Sequence, residues 1–381
     1  MLINKLTIKN FLSLRNISLK LGKLNVLVGP NASGKSNIVK ALRTISTIIK
    51  NGPANIANIL GVKNFKEITF QMKENITAYL SLNMNINGKK ISYNLEFMRD
   101  GYKETITAEK ELLFTRSSTM QGYSCRYKTT DGKLKPASHP ISTQRYFNIH
   151  IPTGVSLHKF PFPPDTREEI LEVKKALSLI NSYSFEPSKI RFAAPVTQPP
   201  LLGYDGGGLP RVLLHLYLEN RKAFGEIESI LKSLIPRIEE VVPHIEGTEV
   251  ILAVREKDIE DLLSPYLISD GTLRLLAFIT ATLTSKTLVT FEEPENCIHP
   301  HLLQSLIDML RKAPSQVLLT THSPYLLDHV EPEEVVVVEK INNETKLTKL
   351  LERKEIETVK KFLEEGGTLG EAWYSGLFAG V

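Results

Sequence analysis

The sequence predicts an α/β fold: a mainly parallel sheet core, an inserted antiparallel β lobe and a helical lobe. Three observations carry that prediction. A buried strand, a glycine-rich loop and a helix follow one another between Leu24 and Ile49. The hydrophobic period then falls to two from about Phe65 to Lys128. Towards the other end, apolar strands alternate with helices from Thr287 to Glu339, as in a parallel sheet.

Short strands are expected at Leu2–Ile8 and Ile17–Leu21, ahead of the buried strand Leu24–Val28. Ile38, Leu42, Ile45, Ile48 and Ile49 recur at helical spacing and predict a helix from about Ser36 to Ile49. Thr77–Asn87 and Lys90–Met98 alternate apolar with polar residues. Asn87-Gly88, Asp100-Gly101 and Asp131-Gly132 supply hairpin turns, because these residues tolerate positive φ. A looser stretch rich in His and Pro continues through Pro164. Helices are expected at Arg167–Ser182, capped by Asp165 or Thr166, and at Arg211–Glu219 and Lys222–Leu234. Between the first two of these, Gly203–Pro210 reads as a flexible loop. Helix Leu275–Leu283, strand Thr287–Phe291, helix His301–Arg311 and strands Gln316–Thr320 and Glu334–Glu339 complete the order.

Composition narrows the class. With 42% hydrophobic and 23% charged residues and no biased tract, the chain is a folded protein rather than a disordered one. Its apolar runs break well before the roughly 18 residues that a membrane span needs. The N-terminus lacks the basic-then-apolar layout of a signal peptide, so a cytoplasmic protein without membrane association is expected. Cys125 and Cys297 form neither a CxxC nor a metal pattern, which suits a reducing compartment. The net charge of +5 is concentrated: Leu112–Lys159 holds seven Lys or Arg against Asp131 alone. That stretch interleaves Tyr123, Tyr127, Tyr146 and Phe147 with its cations, a mixture that stacks on bases and contacts phosphates. It is equally the composition of a solvated β lobe with ordinary core aromatics.

Four motifs carry chemistry. Gly29, Pro30, Asn31, Ala32, Ser33, Gly34, Lys35 and Ser36 fit G-x-x-x-x-G-K-[ST] in full. Such a loop wraps its N–H groups around phosphate oxygens, with Lys35 at the β/γ-phosphates and the Ser36 hydroxyl on Mg²⁺. The helix that starts there aims its positive end at the same anion. ATP and Mg²⁺ are therefore the expected ligands. Leu288–Glu295 is an apolar strand ending in consecutive acids. Glu292 suits the metal shell and Glu293 the attacking water, although acids also commonly solvate strand ends. Ser269-Asp270-Gly271 precedes an apolar helix, where the serine can be an N-cap, an anion contact or both. His322, after Thr320-Thr321, can reach a γ-phosphate or close the turn into Pro324.

In order, these pieces resemble the ABC-type ATPase heads of the RecF, SMC and OLD proteins, and most closely the stand-alone RecF-like AAA-type ATP-binding proteins. Asn10-Phe-Leu-Ser13 followed by Val26–Asn37 looks like that group's opening. Ser269–Leu276 is similar to its signature segment, Phe291–Pro300 to its Walker B and D-loop, and Thr320–Pro324 to its switch histidine. The resemblance implies a P-loop NTPase fold of ABC-ATPase head type. It also implies an ATP-driven homodimer in which Gly29–Asn37 of one protomer face Ser269 and Gly271 of the other, with Glu293, Lys35 and His322 catalytic. The implied ATPase core is 1–50 with 248–345, the β lobe 51–165, the helical lobe 166–247 and the C-terminal helix and tail 346–381. The implied activity is an ATP-hydrolysing switch in DNA repair or phage defence. The alternative is a nucleotide-gated DNA-binding module with little turnover, using Arg126, Lys128, Lys133 and Lys135.

The sequence departs from the family pattern in places. Walker B usually ends Asp-Glu, whereas this chain has Glu292-Glu293. The lobe-joining glutamine is not fixed by the sequence; position alone suggests Gln198. No zinc-hook CxxC or long heptad is present, so no SMC coiled coil is expected. The about 59 residues after His322 are expected to hold no Toprim nuclease domain. A nuclease or toxin is then expected as a separate effector. The apolar, glycine-rich segment Gly366–Val381, with the single tryptophan Trp373, reads as a docked end or as a partner-binding tail.

Overall fold

The computed structural model describes residues 2–51, 60–99, 101–119, 122–136, 166–296 and 298–378. In chain order, the first strands are β1 (Leu2–Phe11), β2 (Leu14–Lys20) and β3 (Leu24–Val28), followed by α1 (Lys35–Asn51). Next come β4 (Ala78–Ile86), β5 (Lys89–Met98), β6 (Gly101–Ala108), β7 (Glu111–Thr119), β8 (Gly122–Lys128) and β9 (Leu134–Pro136). Then follow α2 (Glu168–Ser178), β10 (Ile180–Tyr183), α3 (Pro187–Ile190), β11 (Ala194–Pro195), α4 (Leu209–Glu219) and α5 (Arg221–Leu234). The hairpin β12 (Ile238–Glu246) and β13 (Glu249–Glu256) leads to α6 (Asp270–Thr284), β14 (Leu288–Glu292), α7 (Leu303–Lys312), β15 (Gln316–Thr321) and α8 (Pro324–Leu327). The chain closes with β16 (Val335–Ile341), β17 (Glu344–Lys349), α9 (Ile356–Glu364) and α10 (Leu369–Tyr374). Two compact bodies result: Met1–Asn181 with Val336–Arg353, and Ser182–Val335 with Lys354–Phe378.

In the first body, eight strands form one antiparallel sheet in the order β2-β1-β4-β5-β6-β7-β8-β9. The period-two strands therefore extend the N-terminal hairpin, with Leu6 opposite Leu82 and Ile8 opposite Leu80. Their alternation turns Ile3, Leu6, Ile8, Leu80, Leu82 and Leu95 to one buried side. Asn87-Gly88 makes its turn at positive φ (50° and 82°), as the sequence predicts. A further turn, Glu109-Lys110, adopts positive φ (49° and 74°) with no glycine to announce it. Beside this sheet, β3, β16 and β17 lie next to one another. All five residues of β3 are buried, which suits a strand covered on both faces.

Helix α2 is shorter than the periodicity predicts: it ends at Ser178, and Ile180–Tyr183 are extended as β10. Its N-cap is Arg167 without a side-chain cap. The expected cap Thr166 instead bridges to Thr129, and Asp165 lies outside the described residues. Strand β17 was not foreseen, because the Asn342-Asn343 turn before it (φ 51° and 61°) joins β16 to a charged strand.

In the second body, β14 and β15 pair in parallel, with Leu288 opposite Gln316 and Glu292 opposite Thr320. Phe278 of α6 packs on Phe291 at 4.4 Å between ring centroids, and Tyr183 and Phe185 extend that cluster. The hairpin β12–β13 pairs with β11 in a small three-stranded sheet. The C-terminal segment docks: Leu369, Ala372 and Phe378 are buried, and the Gly370 N–H donates to Asp328 Oδ1 at 2.9 Å. A Cβ at Gly370 would lie 2.2 Å from the Pro324 carbonyl oxygen, so only glycine permits this approach. Among the described residues, no helix is long and apolar enough to cross a membrane.

Candidate functional site

In the first body, the loop Gly29–Ser36 joins β3 to α1. A Cβ at Gly29 would lie 2.1 Å from the Val338 carbonyl oxygen on β16, and Gly34 has φ 106°. Ala32, at φ 61°, completes a turn that aims the backbone inwards. Lys35 is 6% exposed and donates through Nζ to the carbonyls of Gly29 (2.7 Å) and Pro30 (3.0 Å). Ser36 is exposed at the start of α1.

Ser13 and Asn37, both within the segments that carry the resemblance, and Thr345, which the sequence reading did not single out, brace this loop. Thr345 on β17 donates to the Ser33 carbonyl at 2.8 Å and pairs with the Ser13 hydroxyl at 2.7 Å. Asn37 Nδ2 donates to the same Ser13 hydroxyl at 2.8 Å. Ser13 stands in the Asn10–Ser13 turn, and Thr345 comes from more than 300 residues away, which no local pattern signals.

The loop fits a phosphate. Ser33 Oγ is buried with no hydrogen-bond partner among the described residues, the state of a donor placed for an absent acceptor. Lys35 satisfies its charge on carbonyls that a phosphate oxygen replaces at little cost. The Ser36 hydroxyl, at the start of α1, is a hard oxygen of the kind Mg²⁺ takes.

In the second body, β14 delivers Glu292 and Glu293 at its C-terminal end. The Tyr204 hydroxyl donates to Glu292 Oε1 at 2.5 Å. Glu293 takes the left-handed backbone conformation (φ 46°), which costs a non-glycine residue about 1–3 kcal/mol. Its N–H donates to the Thr320 carbonyl at 3.0 Å. Its Oε1 lies 3.1 Å from His322 Nδ1, and its Oε2 accepts from Asn296 Nδ2 at 3.0 Å. The parallel register of β14 and β15 makes this contact, because it sets Glu292 beside Thr320. Glu295 is 9% exposed and accepts from Thr321 Oγ1 at 2.5 Å. Burial pushes its carboxyl up, and the Thr321 hydrogen bond opposes that shift.

Ser269 caps α6: its Oγ accepts from the Thr272 N–H at 3.1 Å, and Gly271 is half-buried in the first turn. Arg191 fastens the segment before it, donating to the carbonyls of Pro265 and Ile268 (2.8 Å) and pairing with Asp270. Arg274, one turn into α6, donates to the Asn296 carbonyl at 3.3 Å. The signature segment and the segment after Glu293 are thus tied within one body. Gln198 contributes its carbonyl to Arg211 Nε at 3.1 Å.

The basic stretch is used in part by the lobe itself. Arg116 is wholly buried against Glu104 at 2.6 Å, and Lys128 pairs with Glu111. Tyr127 is buried, whereas Arg126, Lys133 and Lys135 are exposed. Arg145, Tyr146, Phe147 and Lys159 lie outside the described residues, as does Cys297.

The fold defines a class: the P-loop NTPase architecture of ABC-ATPase and SMC-head type. Two family models match, one described as "AAA ATPase domain" over residues 1–157. The other, "AAA domain, putative AbiEii toxin, Type IV TA system", matches residues 161–328. Among solved structures, the chain is similar to an SMC head bound to the C-winged helix domain of ScpA. There the identity is 14% and the TM-score 0.56, over 91% of this chain and 97% of that one. It is also similar to the SMC head domain with an extended coiled coil bound to the C-terminal domain of ScpA from Pyrococcus furiosus. That match has 14% identity and a TM-score of 0.54, over 96% and 99% of the two chains. A search of curated proteins found no match.

Proposed function

We propose that the chain is an ATP-binding and ATP-hydrolysing switch that works by ATP-dependent head-to-head dimerisation. The observation that carries the reading is Glu293, held at positive φ with one carboxylate oxygen against His322 and the other on Asn296. Strain and two directed partners are how a water-orienting carboxylate is pre-organised. In this reading Gly29–Asn37 wrap the triphosphate and Lys35 offsets charge on its β- and γ-oxygens. Ser36 and Glu292 would each supply an oxygen ligand to Mg²⁺, which would offset charge on the phosphates. Glu293 accepts a proton as water attacks the γ-phosphorus and the bond to the β-phosphate oxygen breaks, giving ADP and phosphate. His322 reports the γ-phosphate to Glu293, and Ser269 and Gly271 of a second protomer contact it from the opposite side.

Such a dimer opens and closes with turnover, so it acts on something else. A protein effector such as a nuclease or toxin is the partner we propose, in DNA repair or phage defence. Two of the similar SMC heads are described with a ScpA domain bound, which supports effector docking on a head of this fold. The DNA-binding alternative would use the exposed Arg126, Lys133 and Lys135, while Lys128 pairs with Glu111. Phosphate release measured across a dilution series tests the switch. The rate should rise faster than linearly with protein concentration, and a strictly linear rise contradicts hydrolysis by a dimer.

A further inference from the structure

The loop Gly203–Pro210 reads as flexible in the sequence, yet it is closed on itself. The Gly203 N–H donates to the Gly207 carbonyl at 2.8 Å, and the Gly206 N–H donates to the Gly203 carbonyl at 3.0 Å. Asp205 Oδ1 accepts from the Gly207 N–H at 3.0 Å. Two bonds fasten the loop to the segment after β10: Ser184 N–H to the Tyr204 carbonyl (2.8 Å) and Glu186 N–H to the Asp205 carbonyl (2.9 Å). Gly206 has φ 90°, and a Cβ there would lie 2.5 Å from the Ile190 side chain. The backbone on either side of Tyr204 is therefore fixed.

Its hydroxyl donates to Glu292 Oε1 at 2.5 Å, across 88 residues of sequence. A phenol donating to a carboxylate is a charge-assisted bond, about twice as strong as a neutral one. Glu292 is the residue at which this chain departs from the family's aspartate. The extra methylene adds a rotatable bond, which must be fixed before the carboxylate can serve a metal.

We propose that Tyr204 is a positioning residue for Mg²⁺–nucleotide binding: its hydroxyl fixes the longer side chain of Glu292 in the rotamer that presents the carboxylate to the metal. This inference rests on the assignment of Glu292 to the metal shell. Partners that orient a metal-ligating carboxylate change metal affinity by about 10–100-fold when removed.

Equilibrium binding of a fluorescent ATP analogue, titrated with magnesium chloride on the full chain, tests it. Tyr204→Phe should raise the half-maximal Mg²⁺ concentration about 10-fold and leave Mg²⁺-free binding as in the parent. In a Glu292→Asp background the same change should move the midpoint by less than about twofold, because the shorter side chain withdraws from the hydroxyl. An unmoved midpoint in Tyr204→Phe, an equal shift in both backgrounds, or lost Mg²⁺-free binding each overturns the role. Glu292→Gln separates the two layers of inference. If it keeps the parental midpoint, Glu292 is not the metal residue and both readings fall. If it loses the Mg²⁺ response while Tyr204→Phe keeps it, only the Tyr204 role falls.

Discussion

In the phosphate loop, the buried cation of Lys35 is satisfied by two carbonyls of its own loop, Gly29 and Pro30. At the strand end in the second body, the carboxylates of Glu292, Glu293 and Glu295 are held by side chains, most of them from other segments. Their partners are Tyr204 for the first, His322 with Asn296 for the second, and Thr321 for the third. The first arrangement is local, and Lys35 can exchange carbonyls for phosphate oxygens without moving a second segment. The second depends on the alignment of several segments, so changes well away from the acids reach them. Mg²⁺-free nucleotide binding should therefore respond to the loop and the residues that brace it, and catalysis to a wider set of residues.

The largest effect should come from the loop. Lys35→Ala removes the one cation in the sequence Gly29–Ser36, and nucleotide affinity by fluorescence titration should fall at least about 100-fold, in line with charged hydrogen bonds worth about 1.5–3 kcal/mol each. Affinity within a few-fold of the parent would break the comparison at its simpler end. A smaller and more selective effect is expected at Arg191. Arg191→Ala leaves the carbonyls of Pro265 and Ile268 and the Asp270 carboxylate without their shared donor. The phosphate-release rate should drop about 10-fold, matching about 1.4 kcal/mol, while monomer nucleotide affinity stays within about twofold. Equal losses in both would show that the second body also governs binding.

The interior of the antiparallel sheet holds charge in a third way and gives the smallest effect. Lys174 on α2 is buried, its Nζ 3.9 Å from the centre of the Phe114 ring, in the field of Glu104, Arg116 and Cys125. Burial lowers its pKa from the ordinary 10.5 to about 7, with Glu104 opposing that shift. Below about pH 7 both folded and unfolded chains carry the proton, and the folded chain bears a buried charge. Above it the folded chain releases the proton while the unfolded chain keeps it, so stability rises with pH towards 10.5. The melting temperature should climb between pH 7 and 9, and Lys174→Met should flatten that climb. An unchanged slope in the variant would show that Lys174 stays charged in the folded state.

How much of this was legible follows from the same contrast. Gly29–Ser36 is eight consecutive residues between a buried strand and a helix, and the structure keeps that context intact. Glu293 and His322 were each visible at a strand end, but their contact needs β14 and β15 to be parallel neighbours in one register. Tyr204 was hidden because glycines that look permissive in sequence are here locked by backbone bonds to the segment after β10. Arg191 lies 79 residues from Asp270, and nothing near either residue signals the pair. Thr345 was missed together with β17, because the charged residues after the Asn342-Asn343 turn carry no clear strand pattern. What the sequence withheld was the bracing around the chemical groups, which comes from distant segments.

The central claim is that Glu293 activates water in an ATP-driven dimer. Glu293→Gln keeps the shape and one acceptor oxygen while removing the base, so it isolates that claim. Phosphate release by this variant, with its oligomeric state followed by light scattering in ATP, is the direct measurement. The account predicts nucleotide binding like the parent's, hydrolysis slowed by about 10²–10⁴-fold, and a dimer that accumulates in ATP. Turnover at the parental rate would contradict it.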